Sequence, residues 1–244
     1  MHRAMKRRAE TLSFYDHMDE LRGRLIKSFL SMGLFSIIAY QYKDRLLAFL
    51  IKPVGALVFT SPSDAFVIQL GLSLFAGFLM ALPIILYQVW KFVEIALKEQ
   101  ERKFIRIFAP FSVVLFLAGV CFAYYVVVPF SMKFLLSFAN EWLVPMITVK
   151  NYLSFVVTMV FGCGVTFEFP LVIMFLTKIG IASPQFLIQK RRHAIVLIFI
   201  VSAIITPPDV ITMWIVAIPL LILYEVSIIA AKALYQPDFV PNNS

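Results

Sequence analysis

The chain has 244 residues, of which 61% are hydrophobic and only 15% are charged. A soluble domain needs far more polar side chains to cover its surface, so this composition excludes a soluble globular fold and a disordered chain. The charges are gathered into clusters between long apolar stretches, which is typical of a membrane protein with several spans. The net charge of +8 therefore reflects membrane topology rather than a nucleic-acid partner.

Six apolar stretches predict six transmembrane helices, because each is apolar on most of its faces. They cover about residues 25–41, 66–90, 105–128, 151–177, 193–206 and 210–231. Lys27 lies in the opening turn of the first span, where its side chain can reach the interface. We therefore predict an all-α integral membrane protein with one membrane domain over residues 1–244, which includes a polar N-terminal segment, 1–24, and a C-terminal tail, 232–244.

The basic residues set the orientation of these spans. Seventeen of the 22 lysines and arginines fall on the side that holds the N-terminus, and five fall on the other side. Cytoplasmic loops carry the excess of lysine and arginine in multispan proteins. We therefore predict that both termini lie in the cytoplasm and that the protein resides in a bacterial cytoplasmic membrane.

Two features are predicted for the outer surface. Lys43–Lys52 carries charges at both ends around apolar residues, and Pro53 ends it, which favours a short helix lying on the membrane.

The fifth span has about fourteen residues, or roughly 21 Å, against a hydrocarbon core of about 30 Å. It turns directly into the sixth at Pro208-Asp209, so we expect the last two spans to be short. Asp209 is expected to cap the sixth span, with ligand binding as the alternative.

No pattern typical of catalysis is present. The histidines His2, His17 and His193 lie at predicted cytoplasmic ends, and Cys121 and Cys163 lie inside apolar stretches. The sequence has no zinc-protease motif, no nucleophile elbow and no phosphate-binding glycine loop. We therefore expect a protein that is not an enzyme and that needs no metal and no cofactor.

Glu168 is the acidic residue that the topology places deep in the membrane. It follows Asn151 by seventeen residues and precedes Lys178 by ten, or about 25 Å and 15 Å of helix. A charged carboxylate at such depth costs about 2.5–3.5 kcal/mol, so it must be protonated, paired or facing water. Pro170 removes the hydrogen bond to the Thr166 carbonyl, which predicts a bend and a concave face in the membrane. A functional polar site and a carboxyl bonded for packing are both open interpretations.

Two acidic segments lie at the predicted cytoplasmic surface. Asp19 and Glu20 precede the first span, and Glu99 and Glu101 lie in the connection between the second and third spans. They place carboxylates in a surface rich in lysine and arginine. Taken alone, this pattern fits ordinary surface charge as well as it fits a site for a cationic ligand.

The same residues resemble signatures of the TatC family, the multispanning subunit of the twin-arginine protein translocase. The similar segments are His17-x-x-Glu20-Leu21-Arg22-x-Arg24-Leu25, Leu86-Tyr87-Gln88-Val89-Trp90-x-Phe92, Glu101-Arg102, Tyr152–Phe155, Gly164–Pro170, Thr206–Asp209, Ala217–Pro219 and Leu223–Glu225. They run in one order from about residue 14 to 234. Ile95 departs from the proline that the family commonly has there, which bears on the shape of the first cytoplasmic loop.

The resemblance implies a receptor for folded proteins whose signal peptides carry consecutive arginines. The carboxylates that bind these arginines would match Glu20 and Glu101. A guanidinium offers a planar fork that a carboxylate accepts with two hydrogen bonds, so two consecutive arginines require two carboxylates. Supporting residues would be His17, Arg22, Phe92 and Arg102, with Arg22 and Arg102 orienting the carboxylates.

The resemblance also implies an intramembrane polar site, at Glu168 with Gln88, and structural roles for Pro53 and Asp209 on the outer side. The partners would be the single-span subunits TatA and TatB, the lipid bilayer and further copies of the chain, with no nucleic acid. The proton motive force would supply the energy. A secondary transporter of a small solute with Glu168 as its ion site is the alternative, and it predicts solute-stimulated proton flux by the purified protein alone.

Overall fold

The computed structural model describes residues 2–55, 57–95, 97, 99–142 and 144–234, and the side chains of residues 17–55, 57–95, 97, 102–142 and 144–233. Within these ranges the elements are α1 (His2–Gln41), α2 (Lys43–Ile51), α3 (Pro62–Ile95), α4 (Glu99–Phe122), a π-helical segment (Ala123–Val127), α5 (Val128–Leu136), α6 (Val149–Phe167), α7 (Phe169–Lys178), α8 (Pro184–Gln189), α9 (Arg191–Ile205) and α10 (Val210–Leu234). The described chain forms two compact units. Unit 1 comprises the residues up to Leu46 and Gln69–Val113, and unit 2 comprises Leu47–Ile68 and the residues from Val114 onward.

The long helices agree with the predicted all-α membrane fold. Four helical stretches of the described chain are long and apolar enough to cross a membrane: Pro62–Ile95, Arg102–Leu136, Val149–Lys178 and Val210–Ala233. They contain the predicted second, third, fourth and sixth spans. The first predicted span lies within α1, and the fifth corresponds to the fifteen-residue α9, so these two segments are helical and their passage through a bilayer stays a prediction.

One expectation about the last two helices is wrong in part. α9 is short, but α10 has 25 residues, or about 37 Å of helix, and so is long enough to span a bilayer. The helix continues past the apolar stretch to Leu234 and includes Lys232, which the apolar run alone did not indicate. Asp209 caps α10 as expected, because its carboxylate oxygens accept from the Thr212 amide at 2.7 Å and the Thr212 hydroxyl at 2.5 Å.

In unit 1, α1 and α3 pack side by side in opposite directions. The contacts pair residues whose numbers rise from α1 into α2 and fall along α3: His17 with Phe92, Arg24 with Gln88, Ser36 with Gly77, and Lys43 with Gln69. At Gly77 a Cβ atom would lie 2.5 Å from the Ser36 nitrogen and Cα, so only glycine permits this approach. These contacts determine which face of α1 lies against α3.

The start of α4 also packs in unit 1. The Trp90 indole nitrogen donates a hydrogen bond to the Ser112 hydroxyl at 3.0 Å, and both side chains are buried. The Trp90 ring lies 5.9 Å from that of Phe108 in a stacked arrangement. A buried indole with its N–H satisfied stabilises the junction of α3 and α4 at the end where the acidic connection lies.

In unit 2, the end of α2 is held by two tyrosines. The Tyr124 hydroxyl donates to the Phe49 carbonyl at 2.6 Å, and the Tyr152 hydroxyl donates to the Leu50 carbonyl at 2.9 Å. These bonds satisfy carbonyl groups that a helix C-terminus leaves without partners. The predicted short helix therefore exists as Lys43–Ile51, followed by a turn through Pro53 in which Gly55 has a φ of 82°. Its position on the membrane surface stays a prediction.

The π-helical segment lies directly before Pro129, in the first turn of α5. A proline ring cannot donate a hydrogen bond and crowds the carbonyl four residues earlier, here that of Tyr125. Widening the helix by one residue relieves that crowding without ending the helix. Ala123 and Val127 of this segment are fully buried, so the widened turn packs against its neighbours.

In unit 2, α4 approaches α6 closely at Gly119. A Cβ atom at Gly119 would lie 2.6 Å from the Cys163 carbonyl oxygen and 2.9 Å from the Gly164 Cα. Backbone atoms cannot move aside as side chains do, so we expect Gly119→Val to lower the free energy of unfolding by about 1–3 kcal/mol or more. Thermal unfolding of the purified protein measures this change.

Gly33 is the matched control, because a Cβ atom there meets nothing within 4 Å. Gly33→Val should unfold at nearly the wild-type temperature. Equal destabilisation by the two substitutions would show that the contact of α4 with α6 has no special weight.

Candidate functional site

A charged and aromatic cluster occupies one end of the α1–α3 pair. The Glu20 Oε1 atom lies 2.5 Å from the Arg24 Nη2 atom, one helical turn along α1. The Arg24 Nη1 atom donates to the Gln88 Oε1 atom of α3 at 3.2 Å. The Arg24 side chain is 16% exposed, whereas that of Glu20 is 44% exposed. Arg24 is thus held between two helices and fixes the carboxylate that faces outward.

An aromatic pair continues this surface. The His17 and Phe92 rings lie 4.5 Å apart, one turn before Glu20 on α1 and one turn after Gln88 on α3. We call these five residues the Glu20 cluster: His17, Glu20, Arg24, Gln88 and Phe92. Among the described side chains, none donates to the second carboxylate oxygen of Glu20. The cluster therefore offers an anchored carboxylate beside a flat aromatic face.

The structure assigns some predicted residues to other neighbours. Arg22 was expected to orient the acids, but the cation that holds Glu20 is Arg24. The spacing of four residues indicates this pairing, since side chains four apart share a helix face and those two apart do not. Gln88 was grouped with Glu168 and instead contacts Arg24 in unit 1, whereas Glu168 belongs to unit 2.

Two further residues of the predicted site, Glu101 and Arg102, lie at the start of α4. Glu101 lies in the first turn of α4, and its side chain lies outside the described residues. The Arg102 Nε atom donates to the Leu97 carbonyl at 3.3 Å, which ties the connection to the helix that follows. Glu94 pairs with Lys91 at 2.7 Å, three residues earlier on α3, and so is already engaged.

Glu168 lies at a break between two helices. α6 ends at Phe167 and α7 begins at Phe169, with Pro170 in its first turn, so the helix is interrupted where Pro170 predicted a bend. The Glu168 Oε1 atom is inaccessible and has no hydrogen-bond donor among the described residues. The nearby Thr166 hydroxyl donates to the carbonyls of Gly162 and Cys163, not to the carboxyl. A buried carboxyl oxygen without a donor is an exception to the usual pairing of buried polar groups.

Glu225 has a partner that the sequence did not indicate. Its Oε2 atom lies 2.7 Å from the Arg191 Nη2 atom, so the pair joins α9 to α10. Among the described residues, no group of three or more histidine, cysteine, aspartate or glutamate side chains is arranged to hold a metal ion.

These observations define a multispan helical membrane protein with a charged aromatic cluster at one helix end and an orphaned carboxyl inside a span. The chain belongs to the TatC family, because the family model described as "Sec-independent protein translocase protein (TatC)" matches residues 16–219. The chain is 41% identical over 233 residues to the protein TatC of Carboxydothermus hydrogenoformans, covering 93% of this chain and 96% of that one. It is 39% identical to TatC of Aquifex aeolicus, covering 89% and 93%.

A solved structure agrees with the sequence relatives. The crystal structure titled "Twin Arginine Translocase Receptor- TatC" superposes with a TM-score of 0.78 at 38% identity, covering 89% of this chain and 99% of that chain. The chain is therefore a multi-pass membrane protein of the Sec-independent protein translocase TatC family, which is not a catalytic family. Family membership favours protein transport over the alternative of a solute transporter.

Proposed function

We propose that the Glu20 cluster, together with Glu101, binds the consecutive arginines of a signal peptide at the cytoplasmic face. The observation that carries the proposal is the state of Glu20: one oxygen is held by Arg24, and the half-exposed carboxylate faces outward. Such a carboxylate is already oriented, so binding an incoming guanidinium costs little further ordering.

The chemistry of arginine suits this arrangement. A guanidinium donates two parallel hydrogen bonds to a carboxylate, and hydrogen bonds to charged groups contribute about 1.5–3 kcal/mol each. Two arginines on Glu20 and Glu101 would then supply much of the roughly 8 kcal/mol of a micromolar complex. The His17–Phe92 pair adds a face on which a cation stacks, for about 0.5–1 kcal/mol at an exposed site. A lysine lacks the fork and would bind less well.

Glu168 has a separate role in this proposal. Its side chain is only partly buried and is therefore suited to a polar contact with single-span subunits of the TatA and TatB type inside the membrane. The complex would export folded proteins with energy from the proton motive force, in an assembly that contains further copies of this chain. The lack of a donor for its Oε1 atom among the described residues supports this role.

The test of the proposed function is a comparison of two signal peptides on the purified chain. One peptide carries two consecutive arginines, and the other carries lysines at the same positions and has the same charge. We expect the arginine peptide to bind at least tenfold more tightly, because only a guanidinium provides the fork. Equal affinities would show that recognition depends on charge alone.

The proposed orientation has its own test by thiol labelling. Cys121 and Cys163 are first replaced by alanine, and single cysteines are then placed at Phe59, Met146 or Gln189, which are all exposed. We expect a membrane-impermeant reagent to label the first two positions in intact cells. Position 189 should react only after permeabilisation. The reverse pattern would contradict cytoplasmic termini.

A further inference from the structure

An apolar cavity lies within unit 2, between α9, α10 and the junction of α6 with α7. Its volume is about 120 Å³, and its walls include Thr166, Ala194, Leu197, Ile198, Val201 and Tyr224. Leu197 is 55% exposed, so the cavity opens to the surface along α9. A dry apolar cavity of roughly 150 Å³ in another protein holds benzene. This one is therefore large enough for part of a hydrocarbon chain.

The polar groups in the cavity wall are already satisfied. The Thr166 hydroxyl donates to the Gly162 carbonyl at 2.9 Å within its own helix. The Tyr224 hydroxyl donates to the Leu187 carbonyl at 2.8 Å. Neither hydroxyl hydrogen is left for a ligand and the other side chains of the wall are apolar, so an acceptor group would lose its hydrogen bonds to water without replacement. The cavity selects for hydrocarbon.

A lysine directly precedes the part of α9 that lines the cavity. Ala194, Leu197, Ile198 and Val201 recur at the spacing of one face of α9, and Lys190 directly precedes the helix, four residues before Ala194. The Ala194 amide donates to the Lys190 carbonyl at 3.0 Å, which places them one helical turn apart. The Lys190 side chain is exposed. Among the described residues none forms an ion pair with it, whereas the neighbouring Arg191 is paired with Glu225.

We propose that this face binds an anionic phospholipid, with one acyl chain in the cavity and the phosphate at Lys190. Lys190, which has no ion-pair partner among the described residues, lies next to an apolar cavity. This arrangement is complementary to a lipid that joins a negative headgroup to a hydrocarbon chain. A partner helix is about 10–12 Å across and cannot enter a cavity of this volume. The site is separate from the Glu20 cluster, and it goes beyond the proposed function.

The first arm of the test compares lipids on the full-length purified protein. Retention of phosphatidylglycerol and phosphatidylcholine with identical chains is measured by mass spectrometry of the intact complex. Wild type should retain the anionic lipid about fivefold more strongly, the effect of one lysine beside an anionic headgroup. Equal retention would overturn the proposal without any substitution. Displacement of the lipid by inorganic phosphate would show an anion site that needs no chain, and would also overturn it.

The second arm uses matched substitutions at Lys190 and on α9. Lys190→Gln should remove the preference for phosphatidylglycerol. Arg192→Gln removes the same charge from a position about 200° around the helix and should preserve the preference. Ala194→Phe fills the cavity and should reduce binding of both lipids at least fivefold, whereas Val196→Phe, outside the cavity wall, should not. Equal effects within either pair would contradict the site.

Discussion

Glu20→Ala is expected to weaken binding of a twin-arginine peptide about hundredfold, while the protein still inserts into the membrane and reaches its normal level. The substitution removes two charged hydrogen bonds to a guanidinium, or roughly 3 kcal/mol. It also releases Arg24, which the structure holds between Glu20 and Gln88. Glu101→Ala should have a similar effect. Titration of a fluorescent peptide against each purified variant measures the loss.

Two controls separate recognition from general charge. Glu94→Ala removes a carboxylate that is paired with Lys91 on α3, and it should leave peptide affinity within about twofold of wild type. Arg24→Gln keeps the acid but removes its anchor, so affinity should fall by about tenfold, less than for Glu20→Ala. Wild-type affinity in the double variant Glu20→Ala with Glu101→Ala would refute the site.

Glu168→Leu is expected to stop export without lowering the amount of protein or its affinity for signal peptide. Leucine removes both the charge and the hydrogen-bonding ability of the side chain. Glu168→Gln keeps the shape and an acceptor but cannot release a proton, so it should retain part of the export activity. Export of a twin-arginine reporter protein, protein level and peptide binding are measured side by side.

The comparison of the two Glu168 variants decides between a partner contact and ordinary packing. If the orphaned oxygen serves a partner, hydrogen-bonding ability matters more than charge, and glutamine exceeds leucine. Full export from Glu168→Leu would show that the carboxyl is ordinary packing. Loss of peptide binding in Glu168→Leu would point instead to a folding defect that reaches the Glu20 cluster.

Sequence patterns predicted the features that depend on local chemistry. Apolar runs predicted the positions of the helices, since each span must satisfy its backbone hydrogen bonds internally. Pro170 predicted the break at Glu168, and the position of Asp209 predicted the cap of α10. Each of these follows from residues within one or two helical turns of one another.

Features that depend on distant residues were not predicted. Gln88 meets Arg24 because Gly77 permits α3 to approach α1 closely in one register, and a single sequence does not reveal that register. Arg191 meets Glu225 across 34 positions because α9 turns directly into α10. The choice of Arg24 over Arg22 differs, since helical periodicity alone was sufficient to make it.

The most direct test of the central claim is photo-cross-linking at the Glu20 cluster. A photoreactive amino acid is placed at Leu21, next to Glu20, or at Leu30, about 14 Å further along α1, and both positions are exposed. A twin-arginine peptide should cross-link at Leu21 and not at Leu30, and an excess of the same peptide, but not of its twin-lysine form, should suppress the product. Equal cross-linking at the two positions, or equal competition by the lysine peptide, would contradict recognition of consecutive arginines by the Glu20 cluster.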